Sequence, residues 1–409
     1  MMNIQERFLK YVNIPTQSAE GVSHVPTTEV QWNLARELEK EMNEMGLSDV
    51  RVSENAYVYG VLPATPGYEE LSGIGFIAHM DTATEFPGEG LKTQIIENYD
   101  GGEVKLGTSG RVLDLENFPH LPSLKGKTLI TTDGTTLLGA DDKAGIAEIL
   151  TAVSMLQEQN IPHGKVCIGF TPDEEVGLGP SHFDIENFGA EYAYTMDGGD
   201  PACVSYENFH ACAATFEIKG YSIHPGSSKN RMINAALVGC EINGMLPTGE
   251  TPRDSEGREG FYHLTSFNGS TTSCTLSYIV RDFDMGYFRA RKATLEHIAV
   301  LMNEKYGEGT VTLTIRDQYP NMYEVLKDKM FIVDNAYTAL RTLGLEPYAQ
   351  PARGGTDGAT LSYHGLPCPN LGTGGFAAHG PFEHVTVEDM QTCAQLIVEI
   401  VKLHSAKKA

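Results

Sequence analysis

The feature that most limits what this chain can fold into is a succession of short apolar runs, YVYGVLP, GIGFIAH, TLITTDG, KVCIGFT and EYAYTMD, within roughly its first two hundred residues. Runs this short suit strands. The stretch AGIAEILTAVSMLQEQN between two of them has the period of an amphipathic helix. Strands alternating with helices predict an α/β fold, a sheet with helices packed on its faces. A further helix is expected in TTEVQWNLARELEKEMNEMGL. There Val30, Leu34, Leu38, Met42 and Met45 recur at helical spacing, Gly46 stops the pattern, and Trp32 reads as packing. Thr28, with Gln31 three residues on, has the form of a capping box at its start.

From about Phe209 the texture changes. HACAATFEIKGYS, GFYHLTSFNGSTTSCTLSYIVRDFD and GTVTLTIRDQYP alternate in the manner of strands. Helical patterns from Asn234 to about Met245 and from Tyr287 to about Tyr306 separate them. This order suits a small α+β module inserted over residues 209–320, with 1–208 and 321–409 forming one discontinuous domain. Two domains are also what 409 residues predict, because a single core stops growing well below that length. The runs DKMFIVDNAYTALRTLG and MQTCAQLIVEIVKLHS are expected to return to helix.

A formal net charge of −24 argues against nucleic acid and anionic membrane as partners, since either would be repelled before contact. The start, MMNIQERFLKYVNIP, is too polar and broken for a signal peptide, and no apolar run reaches spanning length. The seven cysteines are scattered, odd in number and without a Cys-x-x-Cys, as in a reduced, cytoplasmic protein.

Chemistry gathers where the strands end. GIGFIAH runs into His79-x-Asp81, Asp141-Asp142 stands before a helix, Asp173-Glu174-Glu175 follows a strand, and Asp197 ends another. Each has an ordinary explanation as a cap or a solvated turn. Their joint occurrence does not, because ligands in open α/β sheets collect beyond the carboxyl ends of strands. Near the C-terminus GTGGFAAHGPFEHVTVEDM adds His379 in a Gly-rich loop, with Glu383 after it. Imidazole and carboxylate donors without thiolate suit zinc, cobalt or manganese in a hydrolytic site. Two metals about 3.5–4 Å apart would require a bridging carboxylate. Other hydrolytic signatures are missing. There is no Gly-x-Ser-x-Gly and no His-Glu-x-x-His, and Leu121 replaces the glycine a P-loop would need before Gly126-Lys127-Thr128.

In this order HMD, GADDKAG, DEEVG, MDGGD, HPG and HGPFE resemble the co-catalytic di-zinc exopeptidases that include carboxypeptidase G, the aminoacylases and succinyl-diaminopimelate desuccinylase. The resemblance spans nearly the whole chain. AHMDTA, LLGADDKAGIAEI, FTPDEEVG and RGGTDGA are most similar to the branch that removes the N-terminal residue of tripeptides. The resemblance implies a mixed-sheet α/β peptidase domain with a smaller inserted α+β lid of the dimerisation type, hence a possible homodimer. It implies two zinc ions, for which cobalt or manganese can substitute. His79, Asp141 and Asp197 would hold the first, and Asp141, Glu175 and His379 the second. Asp81 would fix the tautomer of His79, and Glu174 would be the general base that deprotonates the water between the metals. Short peptides would be the substrates, contacted by His224 of KGYSIHPGSS, Arg281 of IVRDFD and Arg353 of ARGGTDGA, since a guanidinium suits a peptide carboxylate. One departure is HMDTATEFPG, where proline is delayed to Pro87; this leaves the ligands untouched but bears on the shape of the nearby wall. A dipeptidase, a carboxypeptidase or an N-acyl-amino-acid amidohydrolase would use the same ligands.

Overall fold

The computed structural model describes residues 2–406. The chain divides into two compact units. One comprises the chain up to Tyr206, Met322–Gln350 and the chain from Thr356; the other is Glu207–Asn321 with Pro351–Gly355.

The first unit is built on an eight-stranded sheet. Its strands are β1 (Ser48–Val52), β2 (Val58–Leu62), β3 (Ile74–His79), β4 (Val166–Thr171), β5 (Tyr192–Gly198), β6 (Cys203–Ser205), β7 (Tyr348–Ala349) and β8 (Asn370–Gly372), in the spatial order β1-β2-β4-β3-β5-β8-β6-β7. β4, β3, β5 and β8 run parallel, β1 and β2 pair antiparallel with their neighbours, and β6 pairs antiparallel with β8 but parallel with β7, so the sheet is mixed. Every residue of β3 and β4 is buried, as expected of central parallel strands covered on both faces.

Helices α1 (Ile4–Val12), α2 (Gln31–Glu44) and α3 (Ala140–Glu158), with the C-terminal helix Val387–Ser405, pack into the same core as the sheet. Ala144, Ile146, Ala147, Ile149, Leu150, Val153 and Leu156 bury almost the full circumference of α3, as suits a helix held between sheet and neighbouring helices. The capping box anticipated for α2 does not form. Val30 is its N-cap residue, and the Thr28 hydroxyl donates instead to the Gln17 carbonyl. Gln31 turns instead to the distant Asp173, its side-chain nitrogen donating to the carboxylate and its Oε1 accepting the Asp173 amide.

A smaller antiparallel sheet in this unit has the order Gly375–Phe376, His384–Thr386, Leu129–Thr132, Thr93–Ile96. Its first two strands make a hairpin around the Gly-rich segment. Phe376 and Phe382 fix that hairpin by packing on a local core of Tyr99, Val104, Leu106, Leu113, Leu121, Leu124 and Leu129.

The second unit is a four-stranded antiparallel sheet, ordered Phe261–Gly269, Ser273–Asp282, His210–Lys219, Val311–Tyr319. Helices Ala235–Gly244 and Met285–Tyr306 close its core over Phe216, Leu276, Tyr278 and Val280. Pro351–Gly355 belongs to this unit through pairing of Ala352 with Asn208 and a hydrogen bond from the Ala352 amide to Glu207.

Candidate di-metal site

The carboxyl ends of β3, β4 and β5 lie side by side because these strands are parallel. β3 delivers His79, β5 delivers Asp197, the turn after β4 delivers Glu174 and Glu175, the start of α3 delivers Asp141, and the hairpin loop delivers His379. His79 Nε2 lies 2.8 Å from Asp141 Oδ1 and 3.7 Å from Asp197 Oδ1. His379 Nε2 lies 2.9 Å from Glu175 Oε2 and 3.5 Å from Asp141 Oδ2. Two triads result, His79/Asp141/Asp197 and Asp141/Glu175/His379, each with donor atoms all within 4.8 Å of one another and with Asp141 common to both.

The supports of these groups are mostly distant in sequence. His79 Nδ1 is 3.1 Å from the Asp81 carbonyl and 3.4 Å from its Oδ1. The Asp81 carboxylate also accepts the amides of Glu174 (3.0 Å) and Glu175 (3.2 Å), so one buried carboxylate ties the end of β3 to the glutamate turn. Asp142 is buried and accepts the His79 amide at 3.1 Å. Glu383 accepts the amides of Leu138, Gly139 and Asp141 at 2.7, 2.8 and 2.9 Å, capping the chain as it enters α3. It is Glu85 that stands beside His379 Nδ1, at 3.3 Å. Asp357 is buried and accepts the Thr171 hydroxyl at 2.7 Å. His379 and Asp173 both adopt positive φ, 63° and 58°, conformations that cost about 1–3 kcal/mol in a non-glycine residue and persist only where neighbours enforce them.

Burial raises the carboxyl pKa of Glu174, and the nearby Asp197 charge adds to it. Burial likewise raises Asp197 and Glu175, with His79 and His379 respectively opposing the shift. Asp357 is pushed up to about 7 by burial against its Thr171 bond, and Glu383 to about 7 by burial against its three amides. Asp141 behaves oppositely: despite burial, His379 and His79 hold it below the usual carboxylate range. His379 is pushed up to about 11 by Asp141 and Glu175. Crowded acids of this kind gain from cations. The buried Glu175 Oε1 has no hydrogen-bond partner among the described residues, as a ligand oxygen reserved for a metal would. Nitrogen and oxygen donors in two triads sharing a carboxylate fit a pair of divalent metals.

His224, Arg281 and Arg353 belong to the second unit. His224 is exposed, its Nδ1 accepting the Gly226 amide at 3.2 Å. Arg281 is buried, donating to the Cys212 and Val280 carbonyls and lying over Tyr319. Arg353 donates to the carbonyls of Gly257 and Glu259 and stacks over Phe209. Among the described residues no helix is long and apolar enough to cross a membrane.

A carboxylate shared between two metal triads is the equipment of a hydrolase that works with paired cations. The chain belongs to Peptidase family M20/M25/M40, whose profile matches residues 132–403. It is 49% identical to peptidase T of Caldanaerobacter subterraneus over 409 residues, all of both chains. It is 50% identical to peptidase T of Bacillus thuringiensis over 399 residues, 97% of each. Among solved structures, aminopeptidase PepT of Bacillus cereus superposes with a TM-score of 0.79 at 23% identity, over 99% of this chain and 98% of that one. A dinuclear metal-binding peptidase of the M20 family from Bacillus subtilis does so with 0.66 at 14%, over 98% and 97%. The fold is therefore that of these peptidases, and the protein is a hydrolase.

Proposed function

We propose that the protein is a cytoplasmic, zinc-dependent aminopeptidase that releases the N-terminal residue of tripeptides. The observation that carries this reading is the pair of triads joined by Asp141, with Glu174 next to the ligand Glu175 yet in neither triad. Full-length similarity to peptidases T supports the substrate, and seven unpaired cysteines fit a reducing compartment.

His79, Asp141 and Asp197 would hold one zinc, and Asp141, Glu175 and His379 the other. Bound there, the ions supply Lewis-acid polarisation of the scissile carbonyl and of the attacking water. Glu174 takes the proton of that water on its carboxylate and returns it to the leaving amine. Asp81 holds the Glu174 and Glu175 amides and His79 in one register, which keeps base and ligands aligned. His224, Arg281 and Arg353 contact the substrate beyond the reacting bond, the arginines suiting its carboxylate. The test compares tripeptides, dipeptides and N-acetylated tripeptides with wild-type and Glu174→Gln protein. The reading expects cleavage of free tripeptides only and a loss of kcat of about 10²- to 10⁴-fold in the variant. Cleavage of the blocked peptides would overturn it.

A further inference from the structure

Glu174 is aimed by its backbone. Among the described residues none donates a hydrogen bond to its carboxylate, and both flanks of the turn that carries it are held instead. On one flank the Asp81 carboxylate takes the Glu174 and Glu175 amides. On the other flank, the side chain and the amide of Asp173 are held from the N-terminal segment, while its carbonyl accepts the Leu178 amide at 2.9 Å.

The Asp173 carboxylate accepts the Thr27 amide at 2.7 Å, the Thr27 hydroxyl at 2.6 Å and the Gln31 amide nitrogen at 2.6 Å. The Asp173 amide donates back to Gln31 Oε1 at 3.2 Å, so Gln31 grips both the side chain and the main chain of this residue. Asp173 and Gln31 are each 0% exposed. Burying a carboxylate in a left-handed residue is a costly way to make a turn, and here it is used immediately before Glu174.

The same segment reaches a second wall of the site. Gln17 donates to the carbonyls of Ala83 and Phe86, both at 2.8 Å, and Ser18 bonds Thr82. That loop follows Asp81 and carries Glu85, the neighbour of His379. Within the strap, Thr28 donates to the Gln17 carbonyl and Ala19 to the Thr27 hydroxyl, which couples its two grips.

We propose that Gln31, with Thr27, is a positioning residue for the general base: the pair holds Asp173 in the turn that aims Glu174. This rests on the reading of Glu174 as the base. The strap supplies geometry and takes no proton, so its loss should lower the rate of the chemical step and leave binding of substrate and metal in place.

The experiment is a double-mutant cycle on the zinc-loaded full chain with Ala-Ala-Ala as substrate. Gln31→Leu should lower kcat about 10- to 100-fold, as a misplaced catalytic group does. KM should stay within about threefold and two equivalents of zinc should be retained. Thr27→Val should follow Gln31→Leu, and Thr27→Ser should restore the rate. Placed on Glu174→Gln, Gln31→Leu should cost no more than about a further factor of two, because the group it aims is already disabled. Wild-type kcat in Gln31→Leu, lost zinc, or an equal loss in both backgrounds would overturn the proposal. Should Gln31→Leu not fold, the Thr27→Val and Thr27→Ser pair is run through the same cycle and decides it. Glu174→Gln with undiminished kcat would be a different failure, that of the base assignment itself.

Discussion

Glu383 offers the sharpest test of how the ligand cluster is held. Its carboxylate is buried and takes three main-chain amides, those of Leu138 and Gly139 on Oε2 and that of Asp141 on Oε1. Glu383→Ala leaves three buried donors without a partner. At about 1–3 kcal/mol each, less the relief of no longer burying a charge, the net cost is about 4 kcal/mol. Glu383→Gln keeps an oxygen for the Leu138 and Gly139 amides but turns an NH2 toward Asp141, a single mismatch worth about 2 kcal/mol. With a urea m-value of about 3 kcal/mol per M, the midpoints should fall by about 1.3 M and 0.7 M respectively. Because one of the three amides belongs to Asp141, both variants should also bind zinc about 10- to 100-fold more weakly in competition with a chromogenic chelator. Midpoints within about 0.2 M of wild type, or Gln as damaging as Ala, would refute the capping argument; unchanged zinc affinity would refute the link to Asp141.

His384 predicts an acid sensitivity. It is buried against His120, with Nε2 atoms 2.8 Å apart, and burial lowers its pKa to about 4, below the usual 6.5. At this residue the unfolded chain therefore binds more protons than the folded one between pH 6.5 and 4. The stability that His384 contributes is full above that window and is lost through it by about 3 kcal/mol. His384→Phe should remove this contribution from the dependence of the urea midpoint on pH, and an unchanged slope would remove His384 as its source. Removing metals should lower the melting temperature, and zinc should raise it again with the logarithm of its concentration, since each site at a hundredfold excess over its Kd adds about 2.7 kcal/mol. A melting temperature indifferent to chelator and zinc would contradict the fit of the triads to cations.

Much of the candidate site was legible because its residues were placed by their type at strand ends. The apolar runs located β3, β4 and β5, and their termini located His79, the glutamate pair and Asp197. What stayed hidden depends on contacts between distant parts of the chain. Thr28-x-x-Gln31 has the spelling of a local cap, yet Gln31 answers a carboxylate 142 residues away, and no local rule weighs the two. Glu383 and Asp357 read as loop acids until their partners at Asp141 and Thr171 come into view. The pairing of Gly375–Phe376 and His384–Thr386 with Leu129–Thr132 and Thr93–Ile96 involves strands too short to announce themselves by periodicity. Pro351–Gly355 packs with the second unit through Asn208 and Glu207, which no shift of composition signals.

The most direct measurement uses an asymmetric tripeptide, Ala-Leu-Gly, incubated with metal-stripped protein before and after zinc is restored, with products resolved by mass spectrometry. The account predicts free alanine and Leu-Gly, formed only after zinc is restored. Release of glycine with Ala-Leu, or turnover that ignores the chelator, would contradict it.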